Sequence, residues 1–249
     1  MKIALIGYGK MGHMIEGIAL ERGHEIVGII DPTLVNGDCS LVTDFDSEEF
    51  RSADVAIEFT TPATAKENVL RAWAQNVPVI CGTTGWKPEE LVNGDWSFVI
   101  EGSRKVVKDE KGKTMLVWSS NFSVGVNIFF DLNKQLAAAM KAQPQYTPSI
   151  TEIHHIHKLD KPSGTAKTLA EQIENELPSL QGGAGGRLPI ESIREGEVPG
   201  THEVKWDSEE DTIIITHIAK GRRGFALGAV LAAEELKQSK SRDNIYNIL

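Results

Sequence analysis

Between His154 and Lys161 the chain carries three histidines, His154, His155 and His157, and two lysines, Lys158 and Lys161, and a Ser163-Gly164-Thr165 step follows at once. Imidazole changes protonation near neutral pH, so a histidine here can give or take a proton. A helix opened by Ser, Gly and Thr offers backbone N–H groups, two hydroxyls and a positive dipole end, a combination that binds carboxylates. The two lysines add local positive charge. A metal centre is the rival reading, because His155 and His157 stand two apart and would share one face of a strand. No cysteine or second His/Asp cluster lies close in sequence to complete a ligand set; the other histidines to consider are His202 and His217. The segment is therefore read as an anion-binding, proton-donating site with no metal. Strict alternation along a strand sets His154 and Lys158 on one face and His155 on the other. Their joint use requires a bulge or loop inside the segment.

A second constellation stands at the start of the chain. Gly7-Tyr8-Gly9-Lys10-Met11-Gly12 fits G-x-G-x-x-G, follows an apolar run and opens a helix-like stretch, and Asp31 ends the next apolar run. The gap from Gly12 to Asp31 matches the roughly 20 residues that separate a dinucleotide-binding loop from its ribose-binding acid. Gly7 permits a tight turn, Gly9 lets a pyrophosphate approach the backbone, and Gly12 lets helix pack on strand; the helix start then holds the phosphates. Asp31 would accept from both adenosine ribose hydroxyls and would repel a 2′-phosphate. Pro32 and Thr33 follow it, so no adjacent arginine offsets that repulsion, and Lys10 is the nearby cation. The cofactor expected is NADH or NADPH, with the charge argument leaning to NADH. Hydride addition to a conjugated imine leaves an electron-rich enamine that must be protonated, which is work for an imidazole of the first segment.

The elements that must position these residues follow from periodicity. Strands are expected at Lys2–Ile6, Glu25–Ile30, Asp54–Phe59, Pro78–Cys81 and Thr114–Trp118, with helices at Met11–Arg22 and Ala63–Gln75. Alternating strands and helices imply a parallel sheet, with ligands at the carboxyl ends of its strands. From Trp86 to Gly112 the pattern weakens, and the charged tract Lys105–Lys113 reads as a solvated loop or hairpin. Beyond it come a helix at Val124–Lys141, a strand at Ser149–His155, a helix at Ser163–Leu177 and a glycine-rich stretch at Gly182–Gly186. Strands at Thr201–Trp206 and Thr212–Ile218 and a helix at Ala226–Lys237 complete the chain. The fold class is α/β: a Rossmann-like parallel-sheet domain over 1–121, completed by 223–249, and a smaller α+β domain over 122–222.

Composition narrows the function classes. The 249 residues carry a net charge of −9 and no basic stripe, which argues against nucleic acid as partner. No apolar run reaches the roughly 20 residues that span a bilayer, and the apolar stretch near Met1 is broken by glycines too early for a signal peptide. Cys39 and Cys81 lack disulfide or metal spacing and are expected as reduced thiols of a cytoplasmic protein.

The block His154-His155-x-His157-Lys158-x-Asp160-x-Pro162-Ser163-Gly164-Thr165-Ala166 resembles the signature of the dihydrodipicolinate reductase family. The likeness extends to Phe59-Thr60 with Pro62, Gly82-Thr83-Thr84-Gly85, Asn121 to Val126, Arg194 to His202, and Thr216 to Ala229, in the family's order and across nearly the whole chain. The resemblance implies reduction of 4-hydroxy-tetrahydrodipicolinate, or the dihydrodipicolinate formed from it, in lysine and diaminopimelate biosynthesis. It also implies a homotetramer assembled through the C-terminal domain and a small cyclic dicarboxylate as substrate. By motif position it makes His154 the proton donor and Lys158 its charged partner, with His155, Ser163, Gly164 and Thr165 binding the substrate carboxylates. Cofactor contacts fall to Gly7, Tyr8, Gly9, Lys10, Met11, Gly12, Asp31, Phe59, Thr60, Gly82, Thr83, Thr84, Ser119, Ser120, Asn121, Phe122 and Arg222. Two departures bear on the cofactor: the first loop is one residue shorter than usual, with Lys10 in an arginine's place, and Pro32 stands where arginine often follows the acid. Another two-domain Rossmann dehydrogenase and a nucleotide-sensing protein are the alternatives. A phosphorylating semialdehyde dehydrogenase would need Cys81 as its nucleophile.

Overall fold

The computed structural model describes residues 1–34, 41–92, 96–101, 104–177 and 188–238; Cys39 and the glycine-rich stretch lie outside them. Two compact units emerge, Met1–Ser123 together with the chain from Arg223 onward, and Val124–Arg222.

In unit one, β1 (Lys2–Ile6), β2 (Glu25–Ile30), β3 (Val55–Glu58), β4 (Val79–Cys81) and β7 (Thr114–Ser119) are mutually parallel, and β5 (Ser97–Glu101) and β6 (Arg104–Lys108) add an antiparallel edge, giving the order β2-β1-β3-β4-β7-β6-β5. The helices are α1 (Lys10–Glu21), the single turn α2 (Glu48–Arg51), α3 (Pro62–Ala74) and α6 (Arg223–Gln238). Strand β1 shows why its run is continuously apolar. Ile3 and Leu5 enter a core with Ile15 and Ile18 of α1 and Ala229 and Val230 of α6, while Ala4 and Ile6 enter another with Phe50, Val69 and Val79. A parallel sheet covered on both faces requires this pattern, and each fully buried Ile or Leu stabilises the fold by about 1.5–3 kcal/mol.

The tract Lys105–Lys113, expected as a solvated loop or hairpin, is a hairpin, β6 running antiparallel to β7 across a turn that Asp109 N closes on the Lys113 carbonyl, but it is not solvated throughout. Val106 and Val107 are buried, and the charged neighbours have partners that sequence patterning does not reveal. Lys105 Nζ lies 3.2 Å from Glu89 and over the Trp118 ring, and Arg104 meets Glu235 of α6 at 2.5 Å.

Unit two is a four-stranded sheet in the order β11-β10-β8-β9, made of β8 (Thr147–His154), β9 (Ile190–Arg194), β10 (Thr201–Asp207) and β11 (Thr212–Ile218), with helices α4 (Val124–Met140) and α5 (Gly164–Glu176). Strand β9 was not foreseen; it is short and pairs in parallel with β8. Val126, Phe129 and Phe130 of α4 and Leu169 and Ile173 of α5 pack with Ile150, Val204 and Trp206 into one core. No described helix in either unit is long and apolar enough to cross a membrane.

Helix α6 joins unit one through a glycine. A methyl on Gly228 would come to 1.7 Å from the Phe122 carbonyl oxygen, so the helix can seat only without a side chain there. Gly228→Ala should therefore destabilise the protein by about 1–3 kcal/mol, although alanine favours helices. A thermal melt lowered by several degrees is the expected result, and an unchanged midpoint would show that the contact is not needed.

Candidate active site

The carboxyl ends of β1, β3 and β4 frame a cleft of about 460 Å³ lined by Gly9, Lys10, Met11, Phe59, Thr60, Pro62, Gly82, Thr83 and Thr84. Gly7 has φ +92°, and a Cβ there would strike the Phe59 carbonyl at 2.2 Å. Gly12, inside α1, approaches the Gly7 carbonyl just past β1 so closely that a Cβ would lie 2.4 Å from it, so a side chain there would push the helix away from the end of the strand. Gly9 faces open space and begins α1 with no side-chain cap. An uncapped helix start beneath an open glycine is a surface that a pyrophosphate fits.

Asp31 closes the loop from the side. Its Oδ2 accepts from Tyr8 N at 2.6 Å, and its Oδ1 accepts from Thr33 N at 2.8 Å and Thr33 Oγ1 at 2.6 Å. Partial burial would raise its pKa, but these hydrogen bonds win and hold it below the usual carboxylate range. The opposite wall is braced through Thr83, whose Oγ1 accepts from Thr60 N and whose carbonyl accepts from Trp86 and Trp118. Phe59 covers Gly82 so closely that a Cβ would lie 2.1 Å from its ring. Ser119, Asn121 and Phe122 stand outside the cleft lining, the first two bonded into their own turn and Phe122 buried beside Phe59. Ser120 and Arg222 are exposed, the latter at the end of unit two. Cys81 is fully buried; burial and the Glu58 carboxylate, which accepts from its thiol at 2.9 Å, push its pKa well up. A thiol so held is a poor nucleophile, which speaks against the semialdehyde dehydrogenase alternative.

In unit two the alternation of β8 aims Ile150, Glu152 and His154 at the covered face. Toward its carboxyl end that face turns from apolar to polar. Register sets Glu152 between Ser192 of β9 and His202 of β10, and sets His154 beside Arg194. Glu152 is fully buried; its Oε1 accepts from Arg194 Nη2 at 3.0 Å and from Ser163 N at 3.3 Å, and its Oε2 lies 2.5 Å from His154 Nδ1. Burial would raise its pKa, but Ser192, Arg194 and Ser163 donate to it and hold it down. Burial likewise lowers the His154 pKa, Lys158 and Arg194 lower it further, and Glu152 opposes them. Burial beside His154 drives His202 down to about 4, so it is neutral at physiological pH.

The strand ends at His154 and the chain turns back, Lys158 N donating to the His155 carbonyl at 3.1 Å. This turn supplies the break in alternation that joint use of His154, His155 and Lys158 requires. Arg194 anchors it, donating to the carbonyls of Lys158 at 3.2 Å and Asp160 at 2.6 Å. Lys158 pairs with Asp160 at 2.8 Å. Ser163 caps α5 by accepting from Ala166 N at 3.2 Å and stands 3.0 Å from His202 Nε2. Gly164 is exposed and Thr165 half-buried at that helix start. His155 and His202 each have an Nδ1 atom, buried, with no hydrogen-bond partner among the described residues.

Ligand atoms of Glu152, His154 and His202 lie within 4.8 Å of one another. A cation among them would face the Arg194 guanidinium, already 3.0 Å from the carboxylate, and the trio is better suited to holding a proton. Sequence reasoning assigned no role to Glu152 or Arg194. The period of two could have placed Glu152 beside His154, but only strand pairing brings in Arg194.

Residues 1–94 match the family profile "Dihydrodipicolinate reductase, N-terminus" and residues 125–249 match "Dihydrodipicolinate reductase, C-terminus". A protein of Christiangramia forsetii named 4-hydroxy-tetrahydrodipicolinate reductase is 43% identical over 100% of this chain and 98% of its own length. Its namesake from Bdellovibrio bacteriovorus is 35% identical over 96% and 94%. The solved structure of a dipicolinate-bound dihydrodipicolinate reductase from Paenisporosarcina superposes with a TM-score of 0.69 at 22% identity, covering 96% of this chain and 95% of that one, which supports the fold. Both halves matching in order, along with these full-length relatives, establish that the chain belongs to the dihydrodipicolinate reductase family.

Proposed function

We propose that the chain reduces 4-hydroxy-tetrahydrodipicolinate, or its dehydration product, to tetrahydrodipicolinate with a reduced nicotinamide dinucleotide, as a cytoplasmic step of lysine and diaminopimelate biosynthesis. The observation that carries this reading is the grouping of His154, Lys158 and the Ser163-capped start of α5 at one end of the unit-two sheet. There an imidazole and a cation adjoin backbone N–H groups suited to a carboxylate.

Unit one would hold the dinucleotide, with Gly9, Lys10 and Met11 at the phosphates and Asp31 at the ribose; bound there, the cofactor supplies a hydride. Unit two would hold the substrate, its carboxylates taken by His155, Ser163, Gly164 and Thr165. After hydride addition to the conjugated imine, His154 gives a proton to the enamine carbon, and Lys158 stabilises the negative charge that accompanies the step.

Assembly as a homotetramer is part of this reading. Strand β11 is a sheet edge on which Ile214 and Ile218 are 50% and 65% exposed, and apolar edge surface of that kind is usually covered by another chain. Light scattering should give the mass of four copies, whereas a monomer's mass would remove the proposal.

The activity is tested with substrate made in place from pyruvate and aspartate semialdehyde by the preceding synthase, following the absorbance of the reduced nicotinamide. Oxidation that depends on the synthase product is expected, faster with NADH than with NADPH because an ionised Asp31 repels a 2′-phosphate. Equal or reversed rates would refute the charge argument. His154→Gln should lower kcat by roughly 100-fold with cofactor affinity nearly unchanged; undiminished turnover would take His154 out of the proton-donor role.

A further inference from the structure

We infer that Glu152 is a positioning residue for the proton-donating imidazole: its buried carboxylate holds Nδ1 of His154 and leaves Nε2 as the nitrogen that delivers the proton. This rests on the reading of His154 as proton donor and adds a second side chain to that reaction.

The geometry leaves the carboxylate little freedom. Arg194 and the Ser163 amide hold Oε1, Ser192 also donates to the carboxylate, and Oε2 lies 2.5 Å from His154 Nδ1; apart from this close contact neither of those two atoms has a partner among the described residues. A carboxylate oxygen facing an unprotonated ring nitrogen would set lone pair against lone pair, so Nδ1 carries the hydrogen. Exchange is then left to Nε2. That nitrogen faces Gly200, where a Cβ would lie at 3.0 Å, so glycine keeps its approach clear on that side.

The charged and titratable groups around the ring are Glu152 on its own strand, Lys158 on the following turn, Arg194 on β9, and His202 on β10 with its ring centroid at 5.0 Å. Two cations and burial disfavour imidazolium, His202 stays neutral above about pH 5, and Glu152 is the one anion that favours it. A general acid works below its pKa and fails as pH rises through it. Removal of the Glu152 charge should therefore move that limb of the rate profile to lower pH.

The test is steady-state kinetics from pH 5.5 to 9 on the full chain as wild type, Glu152→Gln, Glu152→Asp, His154→Gln and the Gln/Gln double variant, with synthase-generated substrate. Glu152→Gln should lower kcat roughly 30- to 100-fold, change KM by less than about 3-fold and displace the basic limb downward by about one pH unit or more. Because Glu152 acts through His154, the double variant should be no slower than His154→Gln alone. A Glu152→Gln enzyme that keeps the wild-type limb, or losses that multiply in the double variant, would overturn the inference. If Glu152→Gln does not fold, Glu152→Asp decides: a withdrawn charge should lower kcat by about 10-fold, and unaltered kcat and limb would refute the positioning role. Inactive wild type would strike the proposed reaction itself, whereas active wild type with an indifferent Glu152→Gln strikes this inference alone.

Discussion

The buried carboxylate of Glu152 is the constraint on which unit two is arranged. Taking a carboxylate and a guanidinium out of water costs several kcal/mol per ion, which only well-placed partners offset. Those partners are four residues on three elements: Arg194 and Ser192 on β9, the Ser163 amide at the start of α5, and His154 on the same strand. Each of these elements must therefore dock correctly for the carboxylate to be satisfied. The same guanidinium grips the turn that carries Lys158, so one ion pair sets both the imidazole and the turn beside it.

The two units would hold their proposed ligands by different means. In unit one the cleft is shaped by positions where a side chain is absent. Gly7 lets the loop turn against the Phe59 carbonyl, Gly12 lets α1 approach the Gly7 carbonyl, and Gly9 leaves the helix start open. Unit two works with side chains, which need burial and partners to hold their protonation states. Its apolar core of Ile150, Val204 and Trp206 continues without a break into Glu152, His154 and His202 on the same face, so the sheet that folds the unit also sets the spacing of its polar groups.

Much of this was legible in the sequence because the signals are local. The glycine loop, Asp31 and the Ser163 cap depend on neighbours a few residues away or on a spacing that one crossover fixes. What escaped depends on pairing across the chain. Lys105 reads as solvated until Glu89 and Trp118 are seen beside it, and β9 is too short to announce itself. Arg194 reaches Glu152 only through the parallel register of β8 and β9. The break in alternation after His154 was deducible as a need, but the turn that provides it was not. The proposed preference for NADH rests on the same kind of nearby signal, an acid followed by Pro32 and Thr33. The proposed tetramer does not, since it would depend on surfaces that only the folded sheet assembles.

Helix α6 has a consequence for how the chain is made. It lies beyond unit two in sequence, yet Ala226, Ala229, Val230 and Ala233 belong to the same core as Ile3, Leu5 and Val55. During synthesis the first 123 residues leave the ribosome without the helix that seals one face of their sheet, and everything in Val124–Arg222 must emerge before it arrives. The later-made unit has all of its own elements first. Vectorial synthesis thus favours unit two folding ahead of unit one, reversing the usual N-to-C order of domain folding, and leaves the nascent N-terminal sheet as the surface most in need of a chaperone.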